Sequence, residues 1–220
     1  MIKPISLDNY KTIIFDCDGV ILNSNKIKTD AFFEVARKLG TQENADQLVR
    51  YHIQHGGVSR NKKFEYFIVN ILKEEFDQKT VDHLCGLYGE LVSRELIKCE
   101  INNNLMRLRN KLLNTKWLVV SGGNQNELRH VFESRGIKQF FQKDIFGSPD
   151  SKEKIIAREI QNKNIIYPAI FIGDSKYDYL ASHQFDIDFL FISQWTEFSN
   201  WKEFCRLHSI NHINNFDELI

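Results

Sequence analysis

Short, almost unbroken apolar runs recur along the chain, each ending in a small or acidic residue. Thr12-Ile13-Ile14-Phe15-Asp16 is the earliest. Trp117-Leu118-Val119-Val120-Ser121, Asp144-Ile145-Phe146-Gly147, Ala169-Ile170-Phe171-Ile172-Gly173-Asp174 and Phe189-Leu190-Phe191-Ile192-Ser193 follow. Runs of this kind, rich in Ile, Val and Phe and without polar alternation, suit strands buried on both faces of a parallel sheet. Helical patterns lie between them. Leu128, Val131 and Phe132 share one face, opened by Asn124 and Glu127 at capping-box spacing and closed by Gly136. Ile155, Ile156 and Ile160 form another such face. Strand-helix alternation predicts an α/β fold with a doubly wound parallel sheet.

One interval breaks the alternation. About a hundred residues separate the first run from the second, whereas a parallel crossover needs only about a dozen. The interval is helical in pattern. Phe32, Val35, Ala36 and Leu39 repeat at helical spacing, as do Phe64, Phe67, Ile68, Ile71 and Leu72, and then Val81, Leu84, Cys85, Tyr88, Leu91 and Val92. The pattern predicts a helical domain inserted over residues 24–104 into a core of residues 1–23 and 105–220. The insert would sit over the carboxyl ends of the strands, where open α/β sheets bind ligands.

Composition narrows the function classes. Of 220 residues, 42% are apolar and 26% charged, ordinary for a globular chain with a core of its own. The 29 basic and 29 acidic side chains cancel, so no field is expected that would gather nucleic acid or an anionic membrane. Cys17, Cys85, Cys99 and Cys205 are scattered. The chain opens on no apolar stretch of signal length, and no run approaches the ~18 apolar residues of a membrane span. These features predict a cytoplasmic protein with free thiols.

The strand ends carry the candidate chemistry. Asp16 and Asp18, two apart on an extended segment, face the same side, and Gly19 permits a sharp turn after them. Two carboxylates so close repel each other, and a divalent cation would relieve that. A polar strand-end turn is the plainer alternative. Ser121-Gly122-Gly123-Asn124 ends the second strand and opens a helix, which suits an anion site or a simple loop. Lys152 stands at a helix start, where the dipole disfavours a cation; a fixed phosphate or a carboxylate cluster would explain it. Asp174 ends the fourth strand, and Asp178 lies one helical turn beyond it, in reach of the same site or as part of a helix cap.

In this order the elements resemble the haloacid dehalogenase-like superfamily of phosphotransferases. Asp16-Cys17-Asp18-Gly19-Val20 is similar to its first motif, Ser121 to the second, Lys152 to the third, and Gly173-Asp174-Ser175-x-x-Asp178 to the fourth. The helical insert is similar to the cap of the β-phosphoglucomutase and phosphoglycolate phosphatase subgroup. The resemblance implies that Asp16 attacks phosphorus and becomes phosphorylated, with Asp18 as acid and then base. It implies that Ser121 with the Gly122 and Gly123 backbone holds the phosphoryl oxygens and that Lys152 offsets charge. Mg²⁺ would bind Asp16, Asp174 and the carbonyl of Asp18, with Asp178 a ligand through water or a support. His55-Gly56-Gly57-Val58-Ser59-Arg60 resembles the cap loop whose arginine grips a second phosphate, a role carried to Arg60 with Lys63 one turn on.

The expected activity is therefore hydrolysis of a small phosphorylated metabolite, a sugar phosphate, by a monomer or homodimer. A mutase is the alternative with the same chemistry. Lys28 falls near the position of the mutases' cap-side histidine, Asn23 replaces an acidic residue frequent after the first motif, and the fourth motif has the form common in phosphatases. A scaffold on a degenerate catalytic fold is the alternative of another class, and the full set of key side chains argues against it. Cys205, His208 and His212 have metal-like spacing but lack a fourth ligand nearby, which favours packing roles. His52 and His55 would be solvated or face substrate. Trp195, Phe198 and Trp201 are expected to pack the C-terminal segment.

Overall fold

The computed structural model of the chain describes residues 6–141 and 145–220. Residues 1–5 of the expected core, and Asp144 at the head of the third apolar run, lie outside these. Strands β1 (Thr12–Phe15), β2 (Lys116–Asn124), β3 (Ile145–Ser148), β4 (Ala169–Gly173), β5 (Asp188–Ile192) and β6 (Asn211–Ile213) form one parallel sheet in the order β3-β2-β1-β4-β5-β6. This is the doubly wound order. All of β1 is buried because it is central and covered on both faces. Ile13 and Phe15 join Trp117, Val119, Ile170 and Ile172 on one side. Ile14 joins Leu118, Val120 and Phe171 on the other. Helix α6 (Gln125–Ser134) brings Val131 and Phe132 to the first side; α7 (Lys152–Gln161) and α8 (Lys176–His183) bring Ile155, Ile156 and Ala181 to the second.

Between β1 and β2 run α1 (Asn25–Leu39), α2 (Gln42–Gln54), α3 (Arg60–Tyr66), α4 (Gln78–Lys98) and α5 (Leu105–Lys111). α1 packs on α2 and α4, burying Phe32, Val35, Leu48, Phe64, Phe67 and Leu84. The apolar period after Phe64 does not continue as one α-helix. It passes into a π-helical turn over Phe67–Ile71, and the wider turn keeps Phe67 and Ile68 in the core. Leu39, the last residue of α1, and Leu91, both counted on apolar faces from spacing, are exposed.

Strand β6 was not expected: its short segment, Asn211-His212-Ile213, has too few apolar residues to stand out. It follows α9 (Trp201–Leu207), whose Phe204 and Cys205 are buried with Phe191 and Ile210. Trp201 stacks on Phe191 at 5.5 Å. His208 packs on Phe204 and His212 on Trp201, so these histidines have the packing roles that their spacing left open. The four cysteines are free and buried. Among the described residues no helix is long and apolar enough to cross a membrane.

β1 and β4 are neighbours, and the chain departs from them in opposite directions, to β2 and to β5. Their carboxyl ends flank the switch point of the sheet, where a crevice opens.

Candidate active site

Asp16 follows β1 directly, and its N–H donates to Ile172 O of β4 at 3.0 Å. Cys17 turns into the core, which leaves Asp16 and Asp18 on the crevice side. Gly19 has φ +75°, and a Cβ there would overlap the Asp174 carboxylate, so the turn needs glycine on both counts. The Asp18 carboxylate accepts from Lys28 Nζ at 2.5 Å and Ser24 Oγ at 2.6 Å. Burial works against its ionisation, but Lys28 and Ser24 outweigh this and hold Asp18 below the usual carboxylate range.

Lys152 is buried at the start of α7, behind an N-cap in which Ser151 Oγ accepts from the Lys154 N–H. Its ammonium bonds to the Asp178 carboxylate and lies 2.9 Å from Asp16 Oδ1. The carboxylate cluster that a lysine at this helix start demands is thus present. Burial alone would lower the Lys152 pKa; Asp16 and Asp178 outweigh burial and raise it. Asp178 also accepts from Ser175 N and Oγ, closing a capping box at the start of α8. It therefore fastens Lys152 to the end of β4.

The carboxylates of Asp16, Asp174 and Asp178 offer oxygens that all lie within 4.8 Å of one another. Burial pushes Asp16 up to about 7, with Lys152 opposing and Asp178 and Asp18 adding to the rise. Burial, with Asp16 and Asp178 adding to it, pushes Asp174 well above its ordinary value. Lys152 approaches Asp16 Oδ1 outside hydrogen-bonding alignment, and that buried oxygen has no hydrogen-bond partner. A buried carboxylate oxygen with one ammonium beside it and the Asp174 and Asp178 carboxylates within reach fits a divalent cation. Asp178 has both oxygens engaged, so Asp16 and Asp174 are the side chains left to hold one.

Ser121 ends the buried part of β2, and its Oγ accepts from Gly123 N at 3.0 Å. Asn124 caps α6 through bonds from the Asn126 and Glu127 N–H groups. The reciprocal half of the expected capping box is absent because the Glu127 side chain is spent elsewhere. It meets Arg60 in a two-bond ion pair at 2.6 and 3.1 Å. A Cβ on Gly122 would collide with the backbone of Gly57, so the α2–α3 loop lies directly on the β2–α6 turn.

The crevice holds about 750 Å³ of empty space, counting its mouth. Asp16, Asp18, Asp174, Gly122 and Gly123 line it from the strand ends, and Arg60 and Lys63 from α3. Lys63 is buried, with Nζ 2.6 Å from His52 Nδ1. Burial and the nearby Lys28 push the Lys63 amine down to about 7. Burial and both lysines hold His52 well below its usual value, which makes it neutral. His55 turns away, bonding Tyr51 O.

Several lining residues carry no signal in the sequence. Asn25 Nδ2 donates to Asp174 Oδ2 at 2.8 Å and to Trp195 O at 2.9 Å. Thr196 Oγ1 donates to Asp174 O at 2.7 Å, and Thr29 Oγ1 to Glu197 at 2.6 Å. Phe198 has the packing role expected of it with Trp195 and Trp201, touching Phe204, and it also lines the crevice.

The fold is similar to a predicted phosphatase from Clostridium acetobutylicum, 20% identical over 96% of this chain and 96% of that one, with TM-score 0.75. It is similar to a HAD hydrolase, family IA, variant 3, from Entamoeba histolytica, 14% identical over 96% and 95%, with TM-score 0.75. A β-phosphoglucomutase from Clostridium difficile is 17% identical over 96% and 93%, with TM-score 0.71. At such identities the likeness establishes the fold alone. No curated protein matches the chain in sequence. The family model for haloacid dehalogenase-like hydrolases matches residues 13–192, from β1 through β5 and across every strand end described above, and the chain belongs to that family.

Proposed function

We propose that the chain is a Mg²⁺-dependent phosphatase that hydrolyses a small phosphorylated metabolite through an aspartyl-phosphate on Asp16. The observation that carries this reading is the buried Asp16 carboxylate at the switch point, with Lys152 on one flank and Asp174 on the other. Asp16 attacks phosphorus in line. Lys152, fixed by Asp178, screens the anionic nucleophile from the anionic phosphoryl group. Ser121 and the N–H groups of the β2–α6 turn hold the phosphoryl oxygens. Asp18 lies on the crevice side; ionised by Lys28 and Ser24 in the free site, it takes up a proton as the phosphoryl dianion enters beside it, gives it to the leaving oxygen, and later takes one from the attacking water. Asp16 and Asp174, with the carbonyl of Asp18, are the groups to hold the cation, which when bound neutralises phosphoryl charge. Helices α1–α4 act as the cap. They form the roof of the crevice through Lys28, Arg60, Lys63 and the α2–α3 loop, and the leaving group, a sugar in this reading, lies beneath them.

Phosphate release from a panel of phosphorylated metabolites, with Mg²⁺ and with EDTA, tests the proposal. Release with Mg²⁺ that EDTA suppresses is the expected result. Release that survives EDTA contradicts the metal site, and no release from any member contradicts the phosphatase.

A further inference from the structure

We propose that Glu127 is a specificity-determining residue: by holding Arg60 it leaves the cleft unable to accept a second anionic group and suited to a phosphomonoester whose leaving group is uncharged and hydroxylated. The inference rests on the phosphatase reading and names the substrate class of that same site.

The pair is built into the fold. Arg60 opens α3 and Glu127 lies in the first turn of α6, so the two bonds join the helical roof to the sheet core. The Arg60 side chain is only 12% exposed and that of Glu127 30%. The guanidinium lies 5.4 Å from the centre of the Tyr88 ring. Gly89, inside α4, clears the space. A Cβ there would stand 3.0 Å from Glu127 Oε1 and 3.4 Å from Arg60. A planar fork matched to a carboxylate in this way has its best anion already.

The other cations are engaged as well. Lys28 is paired with Asp18, and Lys152 with Asp16 and Asp178. Lys63 is bonded to a histidine nitrogen and, at about 7, is not a full cation at neutral pH. Glu197, bonded to Thr29, adds another carboxylate to the lining. A second anion on the ligand would therefore find no surplus positive charge at the roof. To reach Arg60 it must evict Glu127, leaving that carboxylate half-buried, unpaired and beside a like charge. Hydroxyl groups face no such conflict, since they can donate to the Glu127 and Glu197 carboxylates and accept from cationic donors without breaking the pair.

Two phosphomonoesters of one three-carbon skeleton isolate the effect: glycerol phosphate ends in a hydroxymethyl group and phosphoglycerate in a carboxylate. With the full chain and Mg²⁺, kcat/KM is expected to favour glycerol phosphate by at least about tenfold, and Glu127→Gln to shrink that ratio by on the order of tenfold. A wild-type preference for phosphoglycerate, or an unchanged ratio in Glu127→Gln, overturns the role of Glu127. The wild-type ratio decides even where the variant does not fold. Failure to hydrolyse both esters and p-nitrophenyl phosphate counts against the phosphatase reading instead. Selectivity is then read from the rise in Tm that the two esters give, and an equal or larger rise with phosphoglycerate overturns the inference.

Discussion

Asp16 is held in a place that its chemistry alone would not choose. It is buried, crowded by Asp174 and Asp178, and offset by a single ammonium. Asp16→Asn keeps the shape and removes the nucleophile, so phosphate release should fall at least about a thousandfold with an unchanged far-UV circular dichroism spectrum. Lys63 presents the opposite case, a cation that burial leaves only partly charged at neutral pH. Its folded value of about 7 lies below the ordinary 10.5, so between those values the unfolded chain holds a proton that the folded chain lacks. The contribution of Lys63 to stability is thus full above 10.5 and is lost as pH falls toward 7. Lys63→Met removes this dependence. In urea unfolding, Lys63→Met should gain on the wild type as pH falls from about 9 to about 7, by up to ~1.4 kcal/mol per pH unit. A constant difference would contradict a depressed Lys63.

At the scale of elements, the site is made by loops pressed against each other. The α2–α3 loop rests on the β2–α6 turn with no room for a side chain at Gly122. Gly122→Ala should force the loop away, cost ~1–3 kcal/mol in denaturant unfolding, and raise KM more than it lowers kcat. The sequence made the strand ends legible because chemistry there sits next to buried apolar runs: Asp16, Ser121 and Asp174 each follow one. It made Lys152 legible because a lysine at a helix start is out of place until its carboxylates are known. It did not make Asn25, Glu127 or Thr196 legible. Their roles depend on partners 67 residues away for Glu127 and 149 for Asn25, and their local settings read as an ordinary helix start, cap and loop. β6 was missed because edge strands are short and half-exposed, so their pattern is weak.

For the whole molecule, the doubly wound order brings β1 and β4 side by side and thereby joins acidic residues more than 150 positions apart, Asp16 and Asp174 with Asp178. That convergence costs stability in the absence of a cation. Mg²⁺ should therefore raise Tm, by the equivalent of ~2.7 kcal/mol at a hundredfold excess over Kd, and Asp174→Asn should abolish most of the rise. The most direct test of the central claim traps the covalent intermediate. Wild-type protein turning over a hydrolysed monoester with Mg²⁺ is treated with borohydride, and the modified side chain is located by peptide mass spectrometry. The account predicts reduction at Asp16 alone, dependent on both substrate and Mg²⁺. Steady turnover with Asp16 unmodified, or modification of another side chain in its place, would contradict it.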